Sequence, residues 1–116
     1  MASLRSYRLR SPIQFRQISV DGKFVRSSSL TMKWIASPDG ICRFCFVAKK
    51  KNGNAVYRNR CRRILRPVFF EASSELKPAV WAMVFVNDNA EEMTSLRLRE
   101  SANKLLSKMK QSLLCL

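Results

Sequence analysis

The segment from Lys49 to Arg66, KKKNGNAVYRNRCRRILR, contains eight basic residues and no acidic residue. Its basic residues from position 58 onward are all arginine, whose planar guanidinium group binds phosphate through paired hydrogen bonds and stacks on nucleobases. Like charges four residues apart destabilise a helix, and no carboxylate in the segment relieves that repulsion. These residue types predict a surface that binds an external polyanion. Guanidinium chemistry favours a surface for structured RNA over a basic face that only contacts solvent.

The same segment carries a regular apolar set, which indicates how it is held. On a helical wheel the apolar side chains fall on one side and the arginines on the other. Asn54 is the expected N-cap, and Pro67 predicts a kink or an end of the helix near Arg66. One face should therefore pack on the protein while the other holds guanidinium groups at fixed spacing. The apolar side consists of Tyr57, Cys61, Ile64, Leu65 and Val68, and the outer arc of Arg58, Asn59, Arg62, Arg63 and Arg66, with Arg60 at its edge.

A helix is predicted ahead of this segment. Ser11, Pro12 and Gln14 form a capping box at a helix start, with proline at the first helical position. Phe15 and Ile18 share one face of that helix, and the following glycine, Gly22, is a natural stop.

Two strands are predicted next. Apolar and polar residues alternate from Leu30 to Ala36, as in a half-buried strand. Ser37-Pro38-Asp39-Gly40 is a turn sequence, and residues 41–48 form a second apolar run. We expect the two strands to pair as a hairpin.

The C-terminal part predicts one strand and one helix. Residues 79–86, AVWAMVFV, are apolar at every position, which is typical of an interior strand covered on both faces, as in parallel pairing. A polar loop then leads to an amphipathic helix. The apolar stripe of that helix is Leu98, Ala102, Leu105, Leu106, Met109 and Leu113.

Charge is unevenly distributed along the 116 residues, whose formal net charge is +14. The first 70 residues hold 16 of the 22 lysines and arginines but only two acidic residues, whereas the remainder is neutral. The 47% apolar content and the length allow a packed core in one domain, residues 1–116. A basic surface on an otherwise ordinary fold predicts nucleic acid as the partner, before a membrane.

Targeting signals are not evident in the sequence. No apolar run has the length of a membrane span, and the N-terminal MASLRSYRLRSPIQF lacks the apolar centre of a secretory signal. An organelle transit peptide is a less favoured interpretation of that stretch, because the helix signals begin at Ser11. Leu113 stands fourth from the end, where a prenylation box would have cysteine.

Residues for catalysis within the protein are missing. The chain has no histidine, the commonest general base, and no Walker or dinucleotide loop. Cys42 and Cys45 form a C-x-x-C motif, but in a strand they would point to opposite faces, so zinc is not expected. Cys61 belongs to the apolar side of the basic helix, and free thiols fit the cytoplasm. We therefore predict no catalytic and no metal-binding residue in this chain.

The ordered run Lys50-Lys51-x-Gly53-Asn54-Ala55-Val56-x-Arg58-Asn59-Arg60-x-Arg62-Arg63-x-x-Arg66 closely resembles the signature of the bacterial ribonuclease P protein component. The resemblance extends to the RLR stretch at residues 8–10, to the first helix with Phe15, to Gly22, to the hairpin, to the late apolar strand and to the C-terminal helix. It therefore spans nearly the whole chain.

This resemblance implies an α/β (α+β) two-layer sandwich with a small mixed sheet and a left-handed β-α-β crossover through the arginine helix, an exception to the usual handedness. It also implies a cytoplasmic subunit of a ribonucleoprotein endoribonuclease whose partners are the catalytic ribonuclease P RNA and precursor tRNA. The resemblance further implies that the RNA performs the chemistry and that Mg²⁺ is bound mainly through this RNA partner. No small-molecule substrate and no membrane are expected.

The resemblance assigns roles to individual positions. Phe15 corresponds to an aromatic residue that stacks bases in a cleft for the 5′ leader of the tRNA precursor. Ser19 and Lys33 stand where the family has further aromatic residues, so leader binding should depend more on charge. Pro67 stands where the family has a polar or acidic residue. The residues expected to contact RNA are Lys50, Lys51, Asn54, Arg58, Asn59, Arg60, Arg62, Arg63 and Arg66, and those expected to contact the leader are Phe15, Ser19 and Lys33.

Two alternatives from other classes remain. A non-catalytic RNA-binding protein, such as a small ribosomal protein, would have the same charge and fold class. Only the ordered Gly-Asn-Ala-Val-x-Arg-Asn-Arg run distinguishes the ribonuclease P interpretation from this alternative. A peripheral membrane protein is less favoured because the outward arc lacks bulky apolar residues.

Overall fold

A computed structural model describes residues 12–76 and 78–114. This part of the chain contains three α-helices and four β-strands, three of which follow one another between the first two helices, with a single 3-10 turn at Lys50–Asn52. None of the described helices has the length and apolar character needed to cross a membrane. The elements are α1 (Pro12–Asp21), β1 (Lys23–Arg26), β2 (Leu30–Ala36), β3 (Arg43–Ala48), α2 (Ala55–Ser73), β4 (Val80–Val86) and α3 (Ser95–Leu114).

The four strands form one mixed sheet in the order β1-β2-β4-β3. β1 and β4 both pair antiparallel with β2, and β3 pairs parallel with β4. The predicted hairpin of β2 and β3 is therefore wrong, because β4 lies between them. The amide of Ser37, just after β2, donates to the carbonyl of Ala79 at 2.8 Å, which places the start of β4 beside the end of β2.

The central position of β4 follows from its composition. A strand that is apolar on both faces must be covered on both faces, and only an interior place in the sheet provides this. The prediction of an interior strand is confirmed, since β4 lies between β2 and β3. The local turn signal at residues 37–40 therefore did not determine which strands pair.

β1 is a strand that the sequence pattern did not reveal. It has four residues, two of them charged, and only Val25 is partly buried. It pairs with β2 through a tight connection, in which the amide of Ser27 donates to the carbonyl of Leu30 at 2.9 Å. The strand is too short to show an alternation, so pairing with β2 rather than propensity defines it.

Helices cover both faces of the sheet. The main core lies between the sheet and the pair α2 and α3, and it contains the predicted stripe of α3 in full. A smaller cluster on the opposite face joins α1 to the sheet through Ile18 and Trp81, with Phe15 packed against them. β3, α2 and β4 together form the β-α-β crossover, and the α+β class with a small mixed sheet is confirmed.

The helix ends are partly as predicted. α1 stops at Gly22, whose amide donates to the carbonyl of Ile18 at 2.8 Å, whereas the proposed cap Ser11 lies outside the described residues. α2 does not end near Arg66 but continues through Pro67 to Ser73, so of the two predicted effects of Pro67 the end of the helix is wrong. Phe69 explains the continuation: it is fully buried and its ring lies 5.4 Å and 5.3 Å from those of Phe44 and Phe46.

The turn after β2 carries a charge network that makes stability depend on pH. Desolvation alone would raise the pKa of Asp39, but hydrogen bonds from Ser37, Ile41, Arg43 and Trp81 outweigh it and hold the pKa at about 2, below the ordinary 3.8. The ionised carboxylate therefore stabilises the fold above pH 3.8, and this contribution disappears as the pH falls toward 2.

We expect Asp39→Asn to lower the melting temperature at pH 7 and to have little effect at pH 2. Since the carboxylate is partly exposed and screened by water, the difference should be about 1 kcal/mol. Thermal unfolding of both proteins across this pH range checks the expectation. A difference that does not change with pH would show that side-chain shape, rather than charge, matters at this position.

Candidate nucleic-acid interface

The start of α2 is fixed by three neighbouring residues. Asn54 is its N-cap, as predicted, and its side-chain oxygen accepts a hydrogen bond from the amide of Tyr57 at 3.0 Å. The Tyr57 hydroxyl donates to the carbonyl of Asp88, and burial raises the pKa of this tyrosine. A Cβ at Gly53 would lie 2.7 Å from the Tyr57 ring, so the glycine permits this close packing. The first turn of the arginine helix is therefore anchored to the loop after β4.

The side chains of α2 divide into apolar and basic sets as predicted. Tyr57, Cys61, Leu65 and Phe69 are buried against the sheet and α3. On the other side, Asn59, Arg60 and Arg63 are exposed, whereas Arg58, Arg62 and Arg66 are half-buried. Arg60, expected at the edge of the arc, is thus among the most exposed of the arginines.

Arg62, one of the half-buried arginines, lies at the boundary between α2 and the sheet. Arg62 donates from Nε to the carbonyl of Phe46 on edge strand β3 at 3.2 Å, and from Nη1 to Oδ1 of Asn59 at 3.2 Å. The Nε atom of Arg58 is buried without a hydrogen-bond partner. Arg62 therefore has a structural role in docking α2 on β3, which the helical wheel did not show.

A concave surface accompanies these arginines. A cavity of about 590 Å³ is lined by Asn59, Arg62, Arg63, Arg66 and Pro67, with no acidic residue among them. Because Pro67 has no amide hydrogen, the carbonyl of Arg63 cannot accept the usual helical bond from it. The cavity thus combines several guanidinium donors with a helix that departs locally from regular hydrogen bonding, and it suits a phosphate group.

The predicted leader residues lie on the face of the sheet that carries α1. Phe15 is half-buried against Ile18 and Trp81, and Ser19 is exposed on the same helix. The ammonium group of Lys33 on β2 lies 6.0 Å from the centroid of the Phe24 ring. These residues share a face but do not converge on one point.

Cys45 connects this face with the arginines. It packs in the small cluster with Phe15, and burial raises the pKa of its thiol against the opposing effect of the Arg62 and Arg66 charges. Cys42 instead lies in the main core, where its thiol donates to the carbonyl of Ser73 at 3.7 Å. The prediction that Cys42 and Cys45 point to opposite faces is therefore confirmed.

The family profile for ribonuclease P matches residues 4–110 of this sequence. The chain belongs to the ribonuclease P protein family. The ribonuclease P protein component of Roseiflexus castenholzii is 34% identical over 82 residues, which is 71% of this chain and 66% of that protein, so the chain spans slightly less than two thirds of that relative. The component from Bacillus pumilus is 28% identical over 102 residues, with 87% and 86% covered.

Solved ribonuclease P proteins have the same fold. The Staphylococcus aureus RNase P protein superposes with a TM-score of 0.80 at 27% identity, and the match covers 90% of this chain and 95% of that one. The α+β architecture and the crossover through α2 are therefore those of ribonuclease P proteins.

Several residues beside the predicted leader residues were not expected from the sequence. Phe24 on β1 and Phe85 on β4 line a pocket with Lys33, and two lysines of the segment before α2, Lys49 and Lys51, line it as well. No signal marked Phe85, because a strand that is apolar throughout does not reveal which residue faces which side. Lys50, predicted to contact RNA, is exposed on the 3-10 turn.

Proposed function

We propose that this chain is the protein subunit of ribonuclease P, which binds a catalytic RNA and the 5′ leader of precursor tRNA during 5′ maturation of tRNA. The observation that carries the proposal is the arginine surface of α2 in a chain of this family. Asn59, Arg60 and Arg63 extend into solvent from a helix whose other side is fixed in the core. A rigid row of guanidinium groups suits the phosphates of a folded RNA.

The chemistry of cleavage belongs to the RNA in this proposal. The chain has no histidine, and no group of three or more Cys, Asp or Glu among the described residues could hold a metal ion. A surface of guanidinium groups does not fit a divalent cation either. Mg²⁺ would therefore be bound by RNA phosphates, and the protein would supply positive charge that reduces the counterion screening required by close phosphates.

The leader would lie on the sheet face beside α1. Phe15 offers an aromatic surface for stacking, Lys33 offers a charge, and the exposed hydroxyl of Ser19 lies on the same helix. Arg62 on α2 contacts Phe46 on β3, the strand that also holds Cys45 of this face. Free thiols at Cys42, Cys45 and Cys61 support a cytoplasmic location.

Reconstitution tests the proposed function. The purified chain is combined with a catalytic ribonuclease P RNA and assayed on precursor tRNA over a range of Mg²⁺ concentrations. We expect no cleavage by the protein alone and a lower Mg²⁺ requirement for the RNA in its presence. Cleavage by the RNA-free protein would contradict the division of roles, and an unchanged Mg²⁺ requirement would contradict the subunit function.

A further inference from the structure

Pro67 lies inside α2, the 19-residue helix from Ala55 to Ser73. A proline within a helix removes one backbone hydrogen bond, and its ring collides with the carbonyl of the preceding turn, which makes proline the least favourable residue at such a position. Pro67 is exposed, so its side chain contributes little to the core. Burial therefore does not offset the destabilising effect of this proline on the helix.

The missing amide hydrogen leaves a backbone acceptor at the surface. In an α-helix the carbonyl of residue 63 accepts a hydrogen bond from the amide of residue 67, and proline has no hydrogen to donate. Arg63 and Pro67 are both exposed and stand about one turn apart, so the carbonyl between them lies on the solvent side of α2. The Arg63 oxygen is thus an accessible acceptor without its usual helical partner.

This carbonyl borders the cavity of about 590 Å³ beside α2. Asn59, Arg63 and Pro67 recur every four residues and form one row along the helix, and Arg62 and Arg66 form the neighbouring row. All five residues line the cavity. Because a helical carbonyl is directed along the axis toward the next turn, the Arg63 oxygen opens on the same cavity as the guanidinium groups.

The polar groups of the cavity are mainly hydrogen-bond donors. The guanidinium groups of Arg62, Arg63 and Arg66 carry only N–H groups, and the described residues that line the cavity include no carboxylate. The side-chain oxygen of Asn59 already accepts from Nη1 of Arg62 at 3.2 Å. A matching ligand therefore needs anionic oxygens for the guanidinium groups and one neighbouring donor for the Arg63 carbonyl.

The backbone of RNA contains this combination of groups. A phosphodiester has only acceptor oxygens, which pair with guanidinium groups. The ribose 2′-hydroxyl next to it both donates and accepts hydrogen bonds, and it is the group by which a protein distinguishes RNA from DNA. A deoxyribonucleotide would offer the phosphate but no sugar donor. The cavity therefore fits a ribonucleotide through its sugar and phosphate, whatever the base.

We propose that the Arg63 carbonyl left free by Pro67 accepts a hydrogen bond from one ribose 2′-hydroxyl of the catalytic RNA, whose adjacent phosphate contacts the guanidinium groups of Arg63 and Arg66. This inference rests on the proposed function, because it requires that α2 contacts RNA. It adds recognition of the sugar to a surface that otherwise recognises phosphate charge. It also assigns a role to a proline that the helix itself disfavours.

The variant Pro67→Ala provides the first test, because alanine returns the amide hydrogen that engages the Arg63 carbonyl. We expect the melting temperature of the RNA-free protein to increase by about 5 °C or more, since the helix regains a hydrogen bond and loses a steric conflict. Affinity for the catalytic RNA should nevertheless fall about fivefold, as for one lost hydrogen bond. A lower melting temperature would mean that the proline supports the fold, and it would contradict the proposal.

The control for this test is Asn103→Ala, at an exposed position of α3. Alanine has a higher helix propensity than asparagine, so this variant also stabilises a helix without a change in charge. Its affinity for the catalytic RNA should equal that of the unaltered protein. A similar loss of affinity in the control would mean that helix stability, rather than the Arg63 carbonyl, determines binding, and it would overturn the proposal.

Deoxyribose substitution identifies the group that is recognised. Catalytic RNA with 2′-deoxynucleotides at random positions is separated into protein-bound and free fractions, and the positions at which deoxyribose reduces binding are mapped for both proteins. We expect one position at which deoxyribose weakens binding of the unaltered protein about fivefold but does not affect Pro67→Ala, because both changes remove the same hydrogen bond. A 2′-fluoro group there, which keeps an RNA-like sugar but cannot donate, should have the same effect as deoxyribose.

The outcomes separate the inference from the function on which it rests. If affinity and the deoxyribose pattern are the same for both proteins, the carbonyl contacts no 2′-hydroxyl and the proposal is overturned. If Pro67→Ala weakens binding but every deoxyribose effect persists, the proline acts through the shape of the helix, and the proposal is again overturned. Failure of the unaltered protein to bind the catalytic RNA would instead overturn the proposed function.

Discussion

Replacement of Arg60 and Arg63 by glutamine is expected to weaken binding of the catalytic RNA about 100-fold, as for two lost charge-assisted contacts. Both side chains are exposed on α2, whereas the packing of this helix depends on its opposite side. Loss of two positive charges from a crowded basic surface relieves repulsion. The melting temperature of the RNA-free protein should therefore stay equal or increase.

Salt dependence identifies the lost contacts as phosphate contacts. The slope of log affinity against log salt concentration should become shallower by about 2 units, near one for each lost contact. Arg99→Gln with Lys104→Gln is the matched control, because it removes the same charge from exposed positions of α3. A similar loss of affinity in the control would mean that net charge, rather than the α2 surface, determines binding.

Arg62 should behave differently from the exposed pair. Its hydrogen bonds to Phe46 and Asn59 hold α2 against β3, so Arg62→Gln should lower the melting temperature as well as the RNA affinity. If the Arg60 and Arg63 variant unfolds while the Arg62 variant does not, the division into exposed and docking arginines is wrong.

The helical wheel placed the arginines on the correct side of α2 but could not predict which of them are more exposed to solvent. A wheel describes one helix in isolation, and the exposure of Arg58, Arg62 and Arg66 depends on a strand that packs beside it. The contact of Arg62 with Phe46 joins residues 16 apart in sequence. That proximity follows from the crossover through α2, which no local pattern contains.

The sheet order was unpredictable for a related reason. The turn at residues 37–40 favoured pairing of its two flanking strands, but a turn signal is local. The parallel pairing of β3 with β4 joins residues far apart in the chain. By contrast, the apolar stripe of α3 and the interior character of β4 were predictable, because each follows from the pattern of apolar residues within a single segment.

The aromatic residues on the sheet face that carries α1 also could not be placed from local sequence patterns. The resemblance drew attention to Ser19 and Lys33, where aromatic residues are missing, and this favoured a leader face that depends on charge. The register of β1 with β2 places Phe24 directly beside Lys33. Since β1 was not predicted, Phe24 could not be placed on that face from the sequence.

The second large effect is expected at Phe15. Phe15→Leu should weaken binding of precursor tRNA by the reconstituted holoenzyme about tenfold, and leave mature tRNA unaffected, because only the precursor has a leader to stack. Leucine keeps an apolar side chain against Ile18 and Trp81, so most of the packing survives while the ring is lost. Equilibrium binding of the two tRNA forms, with Ile13→Ala as an exposed control on the same helix, provides the measurement.

A half-buried aromatic residue can also be merely part of the core, and the leucine variant distinguishes the two roles. If Phe15 only packs, Phe15→Leu costs about 1 kcal/mol of stability and affects precursor and mature tRNA alike through the folded fraction. If Phe15 stacks on a base, affinity decreases for the precursor alone, and the decrease persists at temperatures well below the melting temperature. Restoration of precursor affinity by Phe15→Tyr, which returns an aromatic ring at the same position, would then assign the effect to the ring face and not to side-chain volume.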